Sequence, residues 1–380
     1  MKIAYFVSNR NTFPPEEGQI AASISVVSSL IDNLKQDHEI TLYAAKGSKI
    51  DGVEIVDLDM PSFITDAALA QDDWVTKATM GMKQLYIGEL FANADRYDLI
   101  HLHTEPIYLG MPFVKTCKTP VLFTVHNVFH EFEKELFSYY GNKTEMSCLS
   151  QSHAKSFLIS PTPPYVYNGV EIEDFDFVEN AGEYFLFLGR LTSEKGIEDY
   201  LELAKSCPDR MFKIAGKGGD KYVEMIKSAV LQHSNIEFLG YVQSSSGQFR
   251  ELMSKAKALV NPIAWEEPFG LVMTEAMAYG TPVIAYNRGS VSEIVEDEKN
   301  GLIVSPKDQT GTGFKTGGSG VEGLIEAVNH ISSMNGEEYR NMRMKARNTV
   351  EEKFTTSIMA RNYIDLYEKV IDEFNAKRSK

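Results

Sequence analysis

Short apolar runs alternate along both halves of the chain with segments whose apolar residues recur every three or four positions. The first half opens on the run 2–8 (KIAYFVS), continues through a helical pattern near 24–34, and reaches a second run at 38–45. The second half repeats this order, with a run at 184–189 (YFLFLG) and a helical pattern from about 197. The runs predict buried strands, and their alternation with helices predicts an α/β fold built on parallel sheets.

The stretch 256–286 predicts one complete strand–helix–strand unit. An apolar strand ends at Pro262, and the helix formers of 269–279 are stopped by Gly-Thr-Pro before the next strand begins. Glu267 precedes this helix, and Glu275 stands inside it among apolar neighbours. A carboxylate in such surroundings is costly unless a partner hydrogen-bonds it. Glu275 therefore either pairs with a basic side chain of the fold or receives a polar ligand.

The start of the same helix favours a phosphate group. Phe269, Gly270 and Leu271 place backbone N–H groups there, and the glycine lets a ligand approach the backbone closely. The helical rise separates Gly270 from Glu275 by roughly 8 Å along the axis. A nucleotide can span that gap, with its diphosphate at the helix start and its ribose at the carboxylate.

Composition narrows the class of protein. The chain has 380 residues, of which 43% are hydrophobic, and a net charge of −15 with a pI near 5.1. This acidity argues against nucleic-acid binding and leaves at most a peripheral association with membranes. The three cysteines are widely spaced and form no CxxC pair, which favours a reduced protein. The sequence shows no signal-peptide pattern and no apolar run of membrane-spanning length, so we expect a cytoplasmic protein.

The segment 266–285, EEPFGLVMTEAMAYGTPVIA, resembles the Glu-x7-Glu signature of the retaining glycosyltransferases of family 4, which use nucleotide sugars and have the GT-B fold. The resemblance implies two Rossmann-like domains whose parallel sheets face each other across a cleft. It leads us to expect an acceptor-binding domain at 1–178 and a donor-binding domain at 179–358. A C-terminal helix at 359–380 is expected to pack back on the first domain.

The resemblance also implies roles on the donor side. Glu275 corresponds to the residue that binds the ribose hydroxyls, and Glu267 to the one that contacts the donor sugar. The segment GRLTSEKG is similar to the family's GRLxxEKG, so Arg190 and Lys195 are expected to hold the diphosphate; an exposed pair of basic side chains is the alternative. Further donor-side candidates are Phe269, Gly270, Leu271, Gly240 and Val242, with Ser290 and Glu293 as possible lining residues. A serine-capped helix start explains the last two equally well.

In the first half, the apolar strand of PVLFTVHN runs directly into His126, where a parallel sheet places ligands. The resemblance puts the equivalent histidine beside the donor sugar and the acceptor; a histidine that bonds a local carbonyl is the alternative. In YDLIHLHTEP, we expect His101 to be a core residue and His103 to be a possible site residue. Gly18, in the first loop, either contacts a ligand or simply makes a turn.

These features and the resemblance together predict a metal-independent hexosyltransferase, and the resemblance implies that it retains the anomeric configuration. Its donor is a UDP- or GDP-sugar as co-substrate, so no cofactor is expected, and the expected catalytic residues are Glu267, His126, Arg190 and Lys195. The acceptor is expected to be a glycan, a lipid-linked molecule or a small molecule, in glycan, polysaccharide or glycolipid biosynthesis. The alternatives are a non-catalytic nucleotide-sugar binder and a GT-B epimerase or phosphorylase. The missing GxGxxG disfavours an NAD-dependent oxidoreductase.

Overall fold

The structure is a computed structural model of the chain. It describes all residues except 16–21, 63–72, 105, 129–130, 141–144, 181, 310–313 and 379–380. The chain forms two compact units: residues 1–169 with 356–380 make the first, and residues 170–355 make the second. The corresponding limits predicted from the sequence are 178 and 358. Among the helices of the described residues, none is both long enough and apolar enough to cross a bilayer.

The first unit is built on a six-stranded parallel sheet. Its strands are β1 (Lys2–Phe6), β2 (Glu39–Tyr43), β3 (Glu54–Val56), β4 (Leu99–Leu102), β5 (Val121–Thr124) and β6 (Glu145–Ser147). They lie in the order β3-β2-β1-β4-β5-β6, and every neighbouring pair is parallel. The helices between them are α1 (Ala22–Leu34), α2 (Asp73–Ala92), α3 (Met111–Val114), α4 (Glu131–Tyr140) and α5 (Gln151–Ser156).

The second unit repeats this plan. Its strands are β7 (Tyr184–Leu188), β8 (Met211–Ala215), β9 (Ile236–Gly240), β10 (Ala258–Asn261), β11 (Val283–Tyr286) and β12 (Gly301–Val304). They lie in the order β12-β11-β10-β7-β8-β9, again all parallel. Its helices are α6 (Ile197–Ser206), α7 (Asp220–Gln232), α8 (Gly247–Ser254), α9 (Leu271–Ala278), α10 (Val291–Ile294), α11 (Gly320–Ser333) and α12 (Gly336–Lys353).

The strand order of each sheet reverses at one place, which we call its switch point. In the first unit the switch point lies between β1 and β4, and in the second between β7 and β10. The residues of β4 and β10 are buried throughout, as expected for strands that are covered on both faces of a parallel sheet. Open parallel sheets bind ligands beyond the carboxyl ends of their strands at this point. A ligand is therefore expected at the loops that follow these strands.

The last helix, α13 (Thr356–Arg378), belongs to the first unit although the chain enters it from the second. It packs against α1 and buries Tyr363 and Tyr367 completely. The hydroxyl of Tyr367 lies 2.8 Å from the hydroxyl of Tyr5 in β1. The predicted return of the C-terminal helix to the first domain is confirmed, and this helix brings two phenols into the core beneath the first sheet's strand ends.

Candidate functional site

Two loops of the second unit bring opposite charges together at its switch point. The loop after β7 carries Lys195, and the loop after β10 carries Glu267. Lys195 Nζ lies 2.5 Å from Glu267 Oε2, and the two side chains are only 20% and 12% exposed. A hydrogen bond between two ionised groups is roughly twice as strong as one between neutral groups. This partly shielded ion pair is the centre of the candidate site.

Backbone contacts between the two loops fix the distance between these charges. Ala264 N donates to Glu194 O at 2.8 Å. Gly196 has a φ of 74°, and a Cβ at this position would lie 1.7 Å from Pro262 O. Only glycine fits such a close approach with that backbone conformation. The two loops therefore form one packed surface on which Lys195 faces Glu267.

The backbone of Glu267 is also held from the side of α10. Ser290 N donates to Glu267 O at 3.0 Å. Gly289 has a φ of 56°, and a Cβ there would lie 2.2 Å from Glu267 O. A larger residue at 289 would have to displace Glu267, so the glycine is part of what positions this carboxylate.

Trp265 also belongs to this cluster, although the sequence pattern does not predict a role for it. Its indole Nε1 donates to Glu267 Oε2 at 3.2 Å. The ammonium group of Lys195 lies over the indole ring, 5.2 Å from its centroid, within the range of a cation–π contact. The signal was present, since Trp265 stands two positions before Glu267 in the same motif, but sequence alone gives its side chain no direction.

The start of α9 lies directly after this cluster. Gly270 precedes the helix with a φ of 86°, and Leu271 is its first residue. Phe269 is buried and packs edge to face on Phe354, with the ring centroids 5.7 Å apart. The hydroxyl of Ser290 donates to Phe269 O at 2.5 Å. The segment that leads into the helix is therefore anchored, and its N–H groups have fixed positions.

Ser290 and Glu293 stand at the start of the short helix α10. The serine side chain makes no capping bond to this helix, because its hydroxyl is directed to Phe269 O instead. The capping explanation of Ser290 is therefore wrong, and its contact is with the segment that leads into α9. Glu293 is half-buried.

Glu275 lies in the second turn of α9, between buried Thr274 and Ala276. Its side chain is half-buried, and among the described residues it has no hydrogen bond and no ion pair. Burial raises the pKa of the Glu275 carboxyl to about 7. The suggested pairing with a Lys or Arg of the fold is absent from the described part of the chain. A ligand that donates hydrogen bonds would therefore stabilise the ionised form of this group.

Arg190, Gly240 and Val242 complete the predicted donor side. The Arg190 side chain is 53% exposed, and its nearest charged partner is Glu194, with 3.8 Å between Nη2 and Oε2. Gly240 ends β9 with a φ of 69° and accepts a hydrogen bond from Gly216 N at 2.8 Å. Val242 is buried. These residues lie at the same edge of the sheet as Lys195, but the Arg190 guanidinium does not join the Lys195–Glu267 pair.

In the first unit, the structure brings together three histidines at the ends of β4 and β5. Nε2 of His126 lies 2.9 Å from Nδ1 of His103, and Nε2 of His103 lies 3.3 Å from Nδ1 of His101. Burial holds the pKa of His103 well below its usual value and lowers that of His126 to about 4. His101 is fully buried, so the expectation of a core position for it fits its surroundings.

The remaining expectations concern Gly18 and metal ions. Gly18 lies outside the described residues. Within the part of the chain that the structure describes, no group of three or more His, Cys, Asp or Glu side chains could hold a metal ion.

Two parallel sheets with this strand order and a C-terminal helix that returns to the first unit define the fold as GT-B. The crystal structure of Anabaena Alr3699/HepE in complex with UDP matches with a TM-score of 0.74 at 16% identity, covering 97% of this chain and 100% of that one. At this level of identity the likeness concerns the fold.

Sequence comparisons agree with this class. Residues 171–348 match the family described as Glycosyl transferases group 1. The uncharacterized glycosyltransferase MJ1607 of Methanocaldococcus jannaschii is 29% identical over 251 residues, which cover 56% of this chain and 64% of that protein. Spore coat protein SA of Bacillus subtilis is 23% identical over 419 aligned residues, covering 97% of this chain and 100% of that protein. The family match and these relatives support a GT-B glycosyltransferase.

Proposed function

We propose that the protein is a retaining glycosyltransferase of family 4 that moves a hexosyl unit from a nucleotide-diphosphate sugar to an acceptor hydroxyl. The observation that carries the proposal is the pair of Lys195 and Glu267, 2.5 Å apart at the switch point of the second sheet and directly before the start of α9. Glu267 is the first carboxylate of the Glu-x7-Glu pattern, and Glu275 is the second.

The donor diphosphate is proposed to bind at Lys195, Arg190 and the start of α9. A lysine supplies a point charge, an arginine supplies a planar fork, and a helix start supplies backbone N–H groups. Negative charge grows on the diphosphate as the bond to the sugar breaks, so these donors stabilise the transition state more than the ground state. On this proposal the three together replace a metal ion.

Arrival of the donor requires Lys195 to change partner. In the structure its ammonium group is neutralised by Glu267, with Trp265 stacked beside the pair. The diphosphate competes for the ammonium group, and the released Glu267 carboxylate then accepts hydrogen bonds from hydroxyls of the donor sugar. Trp265 keeps Glu267 in place through its indole N–H while this exchange happens.

Glu275 is proposed to bind the ribose. Its carboxyl has a pKa of about 7 because burial disfavours the charged form. Two ribose hydroxyls donate to the carboxylate and thereby replace the hydration that burial removes. This role accounts for a carboxylate that has no hydrogen bond or ion pair within the described residues.

Transfer with retention keeps the acceptor on the face from which the diphosphate leaves. The bond between C1 of the sugar and the β-phosphate oxygen breaks, and its electron pair stays on that oxygen. The acceptor oxygen forms the new bond to C1, and its proton passes to the departing diphosphate. His126, the histidine that follows β5, is proposed to act on the donor sugar and the acceptor, as the family resemblance implies.

The solved neighbour Alr3699/HepE binds UDP, which makes a UDP-sugar the first donor to test and a GDP-sugar the second. We propose a glycan, a lipid-linked molecule or a small molecule as acceptor, with no nucleic-acid partner. The chain's net charge of −15 supports an association with membranes that is peripheral at most.

Thermal-shift screening against UDP- and GDP-sugars identifies the donor, because a ligand that binds the folded state raises its apparent stability. Product analysis with the labelled donor then tests transfer, and NMR of the new anomeric centre tests retention. The expected result is a glycosylated acceptor with the donor's anomeric configuration. A thermal shift without any product would favour a non-catalytic binder, and an inverted product would contradict the proposed mechanism.

A further inference from the structure

Buried polar atoms without a hydrogen-bond partner are concentrated at the two switch points. Folded proteins pair nearly all such atoms, so each exception needs an explanation, and one explanation is a polar ligand that pairs with them. Among the described residues, eight buried side-chain nitrogen and oxygen atoms have no partner, and five of them end or follow the strands β1, β4, β7 and β10. These five atoms belong to Asn9, Thr104, Thr192 and Asn261.

In the second unit, these atoms lie beside the proposed donor site. Thr192 is in the loop that carries Lys195, and Lys195 N donates to Thr192 O at 3.1 Å. Asn261 ends β10, and Pro262 after it packs against the same loop, since a Cβ on Gly196 would lie 1.7 Å from Pro262 O. The unpaired atoms of the second switch point thus coincide with a site that the motif residues predict independently. The same signal at the first switch point therefore indicates a second ligand.

In the first unit, the unpaired atoms belong to Asn9 and Thr104. Asn9 lies three positions beyond the end of β1, and Thr104 lies two positions beyond the end of the neighbouring strand β4. His103 N donates to Phe6 O at 2.9 Å, so the two segments still run side by side where they leave the sheet. Both side chains are 0% exposed, and neither the Asn9 amide nor the Thr104 hydroxyl has a hydrogen-bond partner among the described residues.

The described side chains that are buried at this place are neutral. An amide and a hydroxyl each donate and accept hydrogen bonds, as the hydroxyl of a sugar does. His103, directly before Thr104, is neutral as well, because burial keeps its pKa well below the usual value. Arg10 follows Asn9 but is exposed, so water solvates its charge. A phosphate or carboxylate buried here would lose its water without gaining an opposite charge, whereas a neutral hydroxyl can pair with both groups.

The segment that carries Asn9 lies at the surface although the asparagine side chain is covered. Ser8 before it is half-buried, and Arg10 after it is exposed. A ligand therefore reaches the amide after a shift of the side chains or of the loop around it. The hydrogen bonds that two unpaired groups gain from the ligand offset the cost of that shift.

We propose that Asn9 and Thr104 form an acceptor subsite that binds hydroxyl groups of a neutral sugar. His103, which precedes Thr104, contacts His126 at 2.9 Å, so the subsite is adjacent to the residue proposed to act on the acceptor. The inference rests on the proposed function and deepens it. Among glycan, lipid-linked and small-molecule acceptors, it selects those that present an uncharged sugar residue to the first unit.

Replacing Asn9 by leucine, which has nearly the same shape, tests whether the amide serves the fold or a ligand. Asn235, 7% exposed, is the matched control. Its amide nitrogen donates to three backbone carbonyls, those of Ala204, Cys207 and Arg210. Asn235→Leu should lower the thermal midpoint by roughly 3 °C or more, because these carbonyls lose their donor. Asn9→Leu should leave the midpoint unchanged or raise it, since it removes two unpaired polar atoms from the interior.

Saturation-transfer NMR of the full chain with UDP and the methyl α-glycosides of glucose, galactose and mannose measures the ligand contact. We expect the wild type to bind at least one glycoside, inorganic phosphate not to displace it, and Asn9→Leu to bind it at least about tenfold more weakly. Thr104→Val is the second variant and should weaken binding similarly. Its control is Thr119→Val, which removes a buried hydroxyl that donates to Ala94 O at 2.6 Å and should leave glycoside binding unchanged.

Nucleotide titration separates this inference from the proposed function. Asn9→Leu should bind UDP as tightly as the wild type, because the proposed donor site belongs to the second unit. A wild type that binds neither UDP nor GDP would contradict the proposed function alone, and the glycoside measurement would still decide whether the subsite exists. Three results would overturn the subsite: no glycoside bound, glycoside displaced by inorganic phosphate, or glycoside affinity unchanged in both Asn9→Leu and Thr104→Val. Destabilisation of Asn9→Leu by as much as Asn235→Leu would assign the amide to the fold and overturn it too.

Discussion

The two switch points of the molecule share a strand order but differ in chemistry. In the first unit, His101 and His103 are 0% and 2% exposed, and burial lowers the pKa of each. In the second unit, Lys195 and Glu267 are 20% and 12% exposed and form an ion pair. Full burial favours neutral groups joined by hydrogen bonds, whereas partial exposure with an opposite charge nearby preserves ionisation. The same sheet topology therefore carries a buried cluster of neutral, hydrogen-bonded groups in one unit and a partly exposed ion pair in the other.

The largest expected effect is the loss of stability of the first unit in acid. Burial lowers the pKa of His126 and of His153 to about 4, so the unfolded chain takes up protons first as the pH falls below about 6.5. Stability is therefore complete above pH 6.5 and is lost towards pH 4, by about 2 kcal/mol for each histidine at pH 4.5.

Hydrogen exchange measured against pH, and corrected for the intrinsic rates, checks this expectation. Amides of β4 and β5 should lose protection between pH 6.5 and 4.5. The strands β7 and β8 contain no histidine and belong to the second unit, whose Glu275 has a raised pKa, so their protection should hold or increase over the same range. Equal changes in both pairs of strands would contradict the contrast between the units.

Lys195→Ala should lower kcat by roughly 10²–10³-fold, because it removes a donor aimed at the leaving diphosphate. Lys255 offers a matched control, since it forms an exposed ion pair with Glu251 at 2.8 Å outside the candidate site. Steady-state kinetics with the identified donor provides the measurement. Equal kcat values for Lys195→Ala and Lys255→Ala would show that the ion pair at the switch point is only structural.

Glu275 should give the second unit the opposite response to pH. Its folded-state pKa is raised from 4.5 to about 7, so the folded protein holds this proton more tightly than the unfolded chain. Its contribution to stability is complete below pH 4.5 and is lost as the pH rises to 7, by about 2–3 kcal/mol. Hydrogen exchange of α9 should show this trend in the wild type and lose it in Glu275→Gln; an identical pH profile in both proteins would refute the raised pKa.

Local patterns in the sequence predict the elements well. The strands from Tyr184–Leu188 and Val283–Tyr286 follow from apolar runs, and the helix Leu271–Ala278 follows from good helix formers between a glycine and a Gly-Thr-Pro stop. The motif letters also place Glu267 just before the start of this helix and Glu275 inside it. These inferences need information only from neighbouring positions.

Contacts between distant positions could not be predicted in the same way. The pair Lys195–Glu267 joins residues 72 positions apart, and the contact His101–Tyr367 joins residues 266 positions apart. Nothing in the HLH segment at 101–103 or in the pattern of α13 indicates that the phenol of Tyr367 contacts the imidazole of His101. Both contacts depend on the packing of whole elements, which local propensity does not specify.

Calorimetric titration of the wild type and of Glu275→Ala with UDP tests the central claim most directly, with Glu202→Ala, an exposed carboxylate on α6, as the control. We expect UDP to bind the wild type and the control with equal affinity, and Glu275→Ala to bind at least about 100-fold more weakly, because the ribose hydroxyls lose a charged acceptor. Unaltered affinity in Glu275→Ala would contradict a nucleotide site along α9.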